Sequence, residues 1–259
     1  MNMLASLNLT GRVAVVIGGT SGIGHAIALG LAEAGADVVP TARRQPLVDA
    51  ACEQVRKLGR QTIACTVDVR DGASLAGLLD RVVGRLGRVD VLVNAAGAIL
   101  RKPTIEMTEP EWQGILDVNA TATLRACQTF FPTLAEHGRG RIINIASLNS
   151  FVSFKDVTAY AASKAAVLAV TRSLAVEWAP AGVNVNAIAP GVFRTDLNRA
   201  LLDETARGRE LLMRTPMRRF GNVGEVAGAA VLLASDAASF ITGQCIVVDG
   251  GFLASGVNS

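Results

Sequence analysis

The sequence predicts an α/β domain in which a parallel sheet carries helices on both faces. Three observations lead to this fold class. Seven short runs of mostly apolar and β-branched residues alternate with amphipathic stretches of helical periodicity. The runs are almost continuously apolar, which is typical of strands buried on both faces. Glycines number 26 while aromatic residues make up only 4%, and such small side chains favour close packing of helices on a sheet. We therefore expect about seven parallel strands in one doubly wound domain.

The predicted strands in chain order are Val13–Ile17, Val38–Thr41, Thr62–Val67, Val89–Val93, Arg141–Ile145, Val183–Ile188 and Cys245–Val248. The predicted helices between them are Ile23–Ala34, Val48–Leu58, Ser74–Arg85, Glu111–Leu134, Ala159–Trp178 and Val223–Ala234. No linker or low-complexity segment interrupts this alternation, so residues 1–259 are predicted to form a single domain. An irregular, arginine-rich zone at about 190–221 is expected to act as a lid.

The composition excludes several classes of protein. Of the 259 residues, 50% are hydrophobic and 18% are charged, which is incompatible with a disordered chain. A net charge of +3 is too balanced for a nucleic-acid-binding surface. The N-terminal residues lack the pattern of a signal peptide, and no stretch is predicted to span a membrane. The four scattered cysteines favour a reducing compartment, so we expect a cytoplasmic protein. The cysteines and the two histidines lack metal-ligand spacing, so no metal is expected.

A glycine-rich turn follows the first predicted strand and opens directly into a helix. Glycines at such a turn let the backbone approach a pyrophosphate at the helix N-terminus. The spacing G-x-x-x-G-x-G differs from the common dinucleotide pattern, and no Gly-Lys-Ser/Thr follows as in a P-loop. The cofactor-binding candidates in this turn are Gly18, Thr20, Ser21, Gly22, Ile23 and Gly24.

The ends of the next strands supply further cofactor candidates. Arg43 and Arg44 stand where an NAD-binding protein would carry an acid for the ribose hydroxyl, and guanidinium groups there attract a 2′-phosphate. NADP(H) is therefore the preferred cofactor, with NAD(H) left open. The candidates after the following two strands are Asp68 and Val69, for the adenine, and Asn94, Ala95 and Gly97, for the ribose.

The only tyrosine of the chain stands four residues before one of its four lysines. Tyr160 and Lys164 therefore share one face of a predicted helix. A nearby cation is expected to lower the pKa of the phenol and make it an acid or base near neutral pH. Ser147 follows the strand Arg141–Ile145 and is a candidate to hold a carbonyl oxygen beside that phenol.

Together these motifs resemble the short-chain dehydrogenase/reductase family over nearly the whole chain, from Leu9 to about Phe252. The resemblance implies a Rossmann fold and an enzyme that interconverts an alcohol and a ketone by hydride transfer. It implies that Tyr160 exchanges the proton, Ser147 polarises the oxygen and Lys164 holds the nicotinamide ribose. Asn119 would support a proton-relay water. Contacts to the nicotinamide and phosphate are implied for Pro190, Gly191, Phe193 and Thr195.

The segments after the fourth strand and at the C-terminus resemble the gluconate 5-dehydrogenase-like group, which acts on sugar acids and polyols. Substrate candidates are Arg101, Asn149 and Arg194, with Ser147, Tyr160 and Arg199. The alternatives are a 3-oxoacyl-thioester (acyl-carrier-protein) reductase and a non-catalytic NADP-sensing protein. The resemblance also implies a homotetramer, with a four-helix interface from Glu111–Leu134 and Ala159–Trp178 and a second contact near the C-terminal strand.

Overall fold

The computed structural model describes residues 5–195, 202 and 205–257, which contain a six-stranded parallel sheet. The strands are β1 (Val13–Ile17), β2 (Asp37–Thr41), β3 (Val91–Asn94), β4 (Arg141–Ile145), β5 (Asn184–Pro190) and β6 (Cys245–Val248). They lie in the order β2-β1-β3-β4-β5-β6. The chain therefore builds first on one side of β1 and then on the other, and the crevice at this reversal is where such sheets bind ligands.

Eight α-helices lie in the described ranges. They are α1 (Gly22–Glu33), α2 (Gln45–Lys57), α3 (Gly72–Leu86), α4 (Glu109–Leu116), α5 (Ala122–Ala135), α6 (Thr158–Trp178), α7 (Ala206–Arg214) and α8 (Ala227–Ala234). Local sequence fixes several ends: Asp71 caps α3 by accepting a bond from the Ala73 N–H, and Gly87 ends it with φ +80°. None of the helices in this part of the chain is both long and apolar enough to cross a membrane.

The two faces of the sheet bury separate apolar clusters. Along β1, Ala14 and Val16 belong to a cluster that includes residues of α1 and α8. Val15 and Ile17 point the other way, into a cluster with Phe130 of α5 and residues of α3. All four of these strand side chains are at most 1% exposed. The near-continuous apolar runs in the sequence thus reflect burial on both sides of a parallel sheet.

The prediction of about seven strands is wrong, because the run Thr62–Val67 does not form a strand. Segment 61–67 follows the outer edge of β2, but it makes only a single isolated bridge, at Ala42. The N–H of Val38 and the carbonyl of Ala42 bond to this segment, at 3.1 and 3.0 Å. Pro40 lies between them and has no N–H to donate, so the ladder is interrupted at its centre.

The predicted helix Glu111–Leu134 is also divided, into α4 and α5. Between them the chain makes a π-helical turn, Asp117–Thr121. Asn119 lies in this turn, fully buried, and its carbonyl accepts a 2.8 Å hydrogen bond from Thr123 Oγ1. Such wide turns occur inside helices mostly at functional sites. A periodicity of 3.6 residues cannot reveal one extra residue in a turn.

The zone predicted to be irregular, at about 190–221, contains helix α7. An isolated parallel bridge between Phe193 and Gly221 joins the two ends of the zone. Residues 196–201, 203 and 204, including Arg199, lie outside the described residues. The lid therefore stays a prediction.

Candidate active site

The lone tyrosine lies in the first turn of α6, beside the carboxyl end of β4. Lys164 Nζ is 5.8 Å from the centroid of the Tyr160 ring. It donates a 2.7 Å hydrogen bond to the carbonyl of Ile145, the last residue of β4. The carbonyl of Lys164 in turn accepts a 2.7 Å bond from Ser150 Oγ. These bonds fix the start of α6 against the end of the sheet where the ligand crevice lies.

Ser147 reaches the phenol from the turn that follows β4. Its Oγ accepts a 3.1 Å bond from the Asn149 N–H, and its side chain is a hydrogen-bond partner of the Tyr160 hydroxyl. Asn149, a predicted substrate residue, is 6% exposed, and its Nδ2 donates to the carbonyl of Val152 at 3.3 Å. The structure thus brings Ser147, Tyr160 and Lys164 together, while the Asn149 side chain closes the turn that carries the serine.

The expected lowering of the phenol pKa by Lys164 is not found. Burial raises the pKa of Tyr160 above its ordinary value, and the hydrogen bond with Ser147 opposes this shift. Burial also lowers the pKa of Lys164, to about 8. Both groups lose water in the cleft, and desolvation favours the uncharged form of each. The i, i+4 spacing placed the two groups correctly, but it carried no information about their hydration.

Asn119 joins the π-helical turn to the loop after β3 and to α6. Its Nδ2 donates to the carbonyl of Ala98 at 2.8 Å and to Ser163 Oγ at 2.9 Å. Its Oδ1 accepts a 2.7 Å bond from the N–H of Ala98. Ser163 then donates to the carbonyl of Tyr160 at 2.7 Å. The Asn119 side chain is therefore fully engaged in positioning the backbone around the tyrosine.

The glycine turn leaves no room for a side chain at Gly18 or Gly24. Gly18 has φ +82°, and a Cβ there would lie 2.6 Å from the backbone nitrogen of Ala96. A Cβ at Gly24 would lie 2.2 Å from the carbonyl oxygen of Gly18. Helix α1 begins at Gly22, and the preceding Ser21 makes no side-chain bond to its first turn. The N–H groups at the start of α1 therefore have no side-chain cap, as expected where an anion is to bind.

A cavity of about 200 Å³ lies next to this turn. Five predicted cofactor residues contribute to its lining, namely Gly18, Arg43, Asp68, Val69 and Gly97. Arg44 lies outside this lining, at the residue before α2. The cavity shows that the ends of β1, β2 and β3 do converge on one place, as the strand order requires.

Arg70, which the sequence analysis did not select, also lines this cavity. Its Nε and Nη2 donate to the two carboxylate oxygens of Asp68, at 3.3 and 3.0 Å. These bonds hold the pKa of the Asp68 carboxyl below its usual range. The D-x-R spacing was visible in the sequence, but an isolated pair two residues apart is too common to have been singled out.

Asn94 is turned away from the cavity. Its Nδ2 donates to Asn144 Oδ1 at 2.9 Å, and Asn144 Nδ2 donates to Thr171 Oγ1 at 3.0 Å. All three side chains are buried, so they form a polar network that joins β3, β4 and α6. The neighbouring Ala95 packs on the apolar cluster near α1. The side chain of Asn94 thus helps to hold the ends of β3 and β4 together.

The end of β5 meets a second cavity, of about 470 Å³, which borders the start of α1. Arg194 and Thr195 line it together with Gly22. Gly191 lies so close to β6 that a Cβ would be 2.5 Å from the Cα of Asp249. The structure thus places Arg194 beside the glycine turn, whereas Arg101 lies in the loop after β3.

His25 is engaged in polar contacts with its neighbours. His25 contacts the carbonyl of Gly19 through Nδ1, at 3.2 Å, and Gln54 Oε1 through Nε2, at 2.9 Å. In the part of the chain that the structure describes, no three His, Cys, Asp or Glu side chains come together to hold an ion.

Comparison with known proteins places the chain in a family. The family model described as Enoyl-(Acyl carrier protein) reductase matches residues 17–253. The 2-dehydro-3-deoxy-D-gluconate 5-dehydrogenase of Dickeya dadantii is 40% identical, over 97% of this chain and 99% of the relative. The D-threitol dehydrogenase of Mycolicibacterium smegmatis is 39% identical over 94% of each chain.

A solved structure shows the same architecture. The gluconate 5-dehydrogenase of Burkholderia cenocepacia J2315, in complex with NADP and tartrate, is 36% identical and matches with a TM-score of 0.93. The match covers 98% of this chain and 99% of that one. The motifs, the geometry around Tyr160 and these relatives agree: the chain belongs to the short-chain dehydrogenase/reductase family.

Proposed function

We propose that this protein is an NADP(H)-dependent oxidoreductase that interconverts a secondary alcohol and a ketone on a sugar acid by hydride transfer. One observation carries the proposal. Ser147, Tyr160 and Lys164 lie together at the carboxyl end of β4. A Cβ at Gly97, which lines the cavity beside the glycine turn, would be 3.7 Å from Lys164 Nζ. A proton donor beside a dinucleotide crevice is the arrangement that hydride transfer to a carbonyl requires.

Each of these residues has a separate task. The hydroxyl of Ser147 orients the substrate oxygen, and the phenol of Tyr160 gives that oxygen its proton in reduction or takes it in oxidation. Lys164 holds an ammonium one helical turn away, anchored on Ile145. Asn119 acts as a positioning residue through Ser163. When bound, the nicotinamide supplies or accepts the hydride.

The residues of the cavity fit NADP(H). The glycine turn brings backbone N–H groups to the surface without side chains, which suits a pyrophosphate. Arg43 lines the cavity at the end of β2, where a 2′-phosphate would lie, and Arg70 on the same lining is paired with Asp68. Arg194, beside Gly22, is suited to a cofactor phosphate. The Burkholderia relative with bound NADP supports the same choice.

The relatives support a polyhydroxy acid as substrate. The Dickeya relative is named for a keto-deoxygluconate, and the Burkholderia structure holds tartrate, a dicarboxylate. In this chain Arg101 is the proposed partner of such a carboxylate. The threitol dehydrogenase relative makes a neutral polyol the natural comparison in an assay.

We further propose a cytoplasmic homotetramer. Strand β6 is an edge of the sheet, and Val247 within it is 38% exposed. Phe240, just before β6, is fully exposed, and Val176 on α6 is 81% exposed. Apolar side chains on two such elements are suited to contacts between copies of the chain.

The test is a spectrophotometric assay with NADP(H) and NAD(H) on gluconate, sorbitol and an acetoacetyl thioester. We expect turnover of the sugar acid with NADP(H). Tyr160→Phe should lower kcat by about 10³-fold, while the Kd for NADPH stays within a few-fold. Turnover of the thioester alone would identify the acyl-thioester reductase instead. NADPH binding without turnover on a broad panel would identify a sensing protein.

A further inference from the structure

We propose that Arg207 is a specificity-determining residue that acts with Arg101 as a two-arginine receptor for the carboxylate of the substrate. The inference rests on the proposed function and deepens it, since it explains which end of a sugar acid the protein recognises. The observation behind it is that the loop after β3 and the start of α7 both contact the segment between Ser147 and Tyr160.

Arg101 is held against that segment from one side. The N–H of the next residue, Lys102, donates to the carbonyl of Asp156 at 2.8 Å, and Thr104 Oγ1 contacts Thr158 Oγ1 at 2.6 Å. Asp156 has φ +65°, a conformation that a non-glycine residue adopts only where its surroundings impose it. The loop after β3 is therefore fastened to the residues just before α6.

Arg207 reaches the same segment from the other side. Its guanidinium carbon lies 6.0 Å from the ring centroid of Phe154, which itself contacts Phe252 edge-on at 5.8 Å. The side chain of Thr205 caps this end of α7 by accepting a 2.9 Å bond from the N–H of Gly208. The first turn of α7 is thus fixed by its own cap, and the Arg207 guanidinium on it lies over the Phe154 ring.

Helix α7 also packs close to the reacting groups. Leu211, one turn after Arg207, belongs to the same buried cluster as Leu148 and Phe252. Leu148 directly follows Ser147 in the chain. The two arginines therefore flank the segment that leads from Ser147 to Tyr160.

The positive charges of the two arginines are only partly balanced by the protein, through the carboxylate of Asp156, which acts on Arg101. Within the described ranges, neither Arg101 nor Arg207 has a carboxylate at ion-pair distance. Lys102, next in the chain, donates to both oxygens of Glu111 at 2.9 Å and so is occupied. Burial, and after it the positive charge of Arg207, lower the pKa of Arg101, while the carboxylate of Asp156 opposes the shift. An anion between them would relieve that repulsion and accept hydrogen bonds from both.

The experiment uses two substrate pairs that differ only in one terminal group: gluconate with sorbitol, and threonate with threitol. We expect the wild-type enzyme to prefer the acid of each pair. Arg207→Gln and Arg101→Gln should each raise KM for the acid at least tenfold and change KM for the polyol less than threefold. Arg214→Gln, also on α7 but exposed and paired with Glu210, is the control and should change neither.

A second readout does not need turnover. With NADPH present, gluconate should raise the Tm of the wild-type protein and of Arg214→Gln, but not of Arg207→Gln. Equal effects of Arg207→Gln on acid and polyol, or no effect on either, would overturn the receptor while leaving the proposed hydride transfer intact. A wild-type enzyme without preference for the acids would also overturn it. A Tm response to gluconate without any turnover would instead refute the proposed function.

Discussion

Burial acts on the two titratable groups of the site in opposite directions and favours the uncharged form of both. It raises the pKa of Tyr160 and lowers that of Lys164 to about 8. A protonated phenol is the form needed to reduce a ketone, because it has a proton to give. Oxidation of an alcohol needs the phenolate, and the hydrogen bond from Ser147, which lowers the pKa of the phenol, favours that form.

The raised pKa of Tyr160 can be measured directly, because the chain has no other tyrosine. In the cofactor-free protein we expect the tyrosinate absorbance to appear with a midpoint above 10, the ordinary value for a phenol. The hydrogen bond from Ser147 favours the ionised phenol, so its removal in Ser147→Ala should move the midpoint higher still. Circular dichroism at each pH shows whether the chain is still folded. A midpoint below 10 in the folded protein would refute this account.

The lowered pKa of Lys164 predicts a specific dependence of stability on pH. Between pH 8 and 10.5 the unfolded chain holds a proton on Lys164 that the folded chain has lost, so unfolding becomes less favourable as pH rises. From pH 8 to pH 10 this contributes on the order of 2 kcal/mol to the free energy of unfolding. We expect urea unfolding of Lys164→Met to lack this rise. Lys57→Met, at the exposed end of α2, should keep it. If the free energy of unfolding rose with pH equally in both variants, the lowered pKa of Lys164 would be contradicted.

At the scale of elements, the glycine turn is the part least tolerant of change. Gly18→Ala would add a Cβ 2.6 Å from the Ala96 backbone nitrogen, at a φ that disfavours any side chain. We expect it to weaken NADPH binding at least tenfold and to lower the free energy of unfolding by about 2 kcal/mol or more.

Gly84→Ala is the matched control for that variant. Gly84 lies inside α3, and a Cβ there would meet no atom within 4 Å. Alanine should leave NADPH affinity unchanged and raise the free energy of unfolding by up to about 1 kcal/mol. Fluorescence titration and urea unfolding measure both quantities. Equal losses in the two variants would show that the turn is not special.

Sequence periodicity predicted most elements within a few residues and failed where one atom or one residue decided the outcome. The seventh strand is missing because Pro40 has no N–H, although the run beside it is apolar. The long helix is divided because the buried side chain of Asn119 is bonded to Ala98, a contact between residues 21 positions apart. A hydrophobic pattern indicates which residues are buried. The missing N–H of Pro40 and the hydrogen bonds of Asn119 leave that pattern unchanged, so the pattern could not predict them.

The candidate site was predictable to the extent that its residues share a strand end or a helix face. Ser147, Tyr160 and Lys164 fall in that class, and so do Gly18 and Arg43. Arg207 does not, because only the packing of α7 on the residues before α6 brings it to the crevice. The direction of the Tyr160 pKa likewise depends on how much water the folded cleft admits, which no local pattern contains.

At the scale of the whole molecule, the proposed assembly gives a direct measurement. We expect light scattering after size exclusion to give about four times the chain mass of 26.9 kDa. The apolar residues exposed around β6 and on α6 are the physical reason, since a lone chain would leave them in water. A mass that stays at one chain across a range of concentrations would contradict the tetramer.

Pro40 has a further consequence for how copies of this chain meet. An open parallel sheet has two outer strands, and unpaired N–H and C=O groups there invite strands of other molecules to add on and grow into aggregates. At β2 the proline and the adjacent segment 61–67 block that addition. At the opposite edge, β6 is the outer strand, and no proline or further strand covers it among the described residues. For the proposed tetramer this predicts association through one edge, which can end in a closed particle rather than an open fibre.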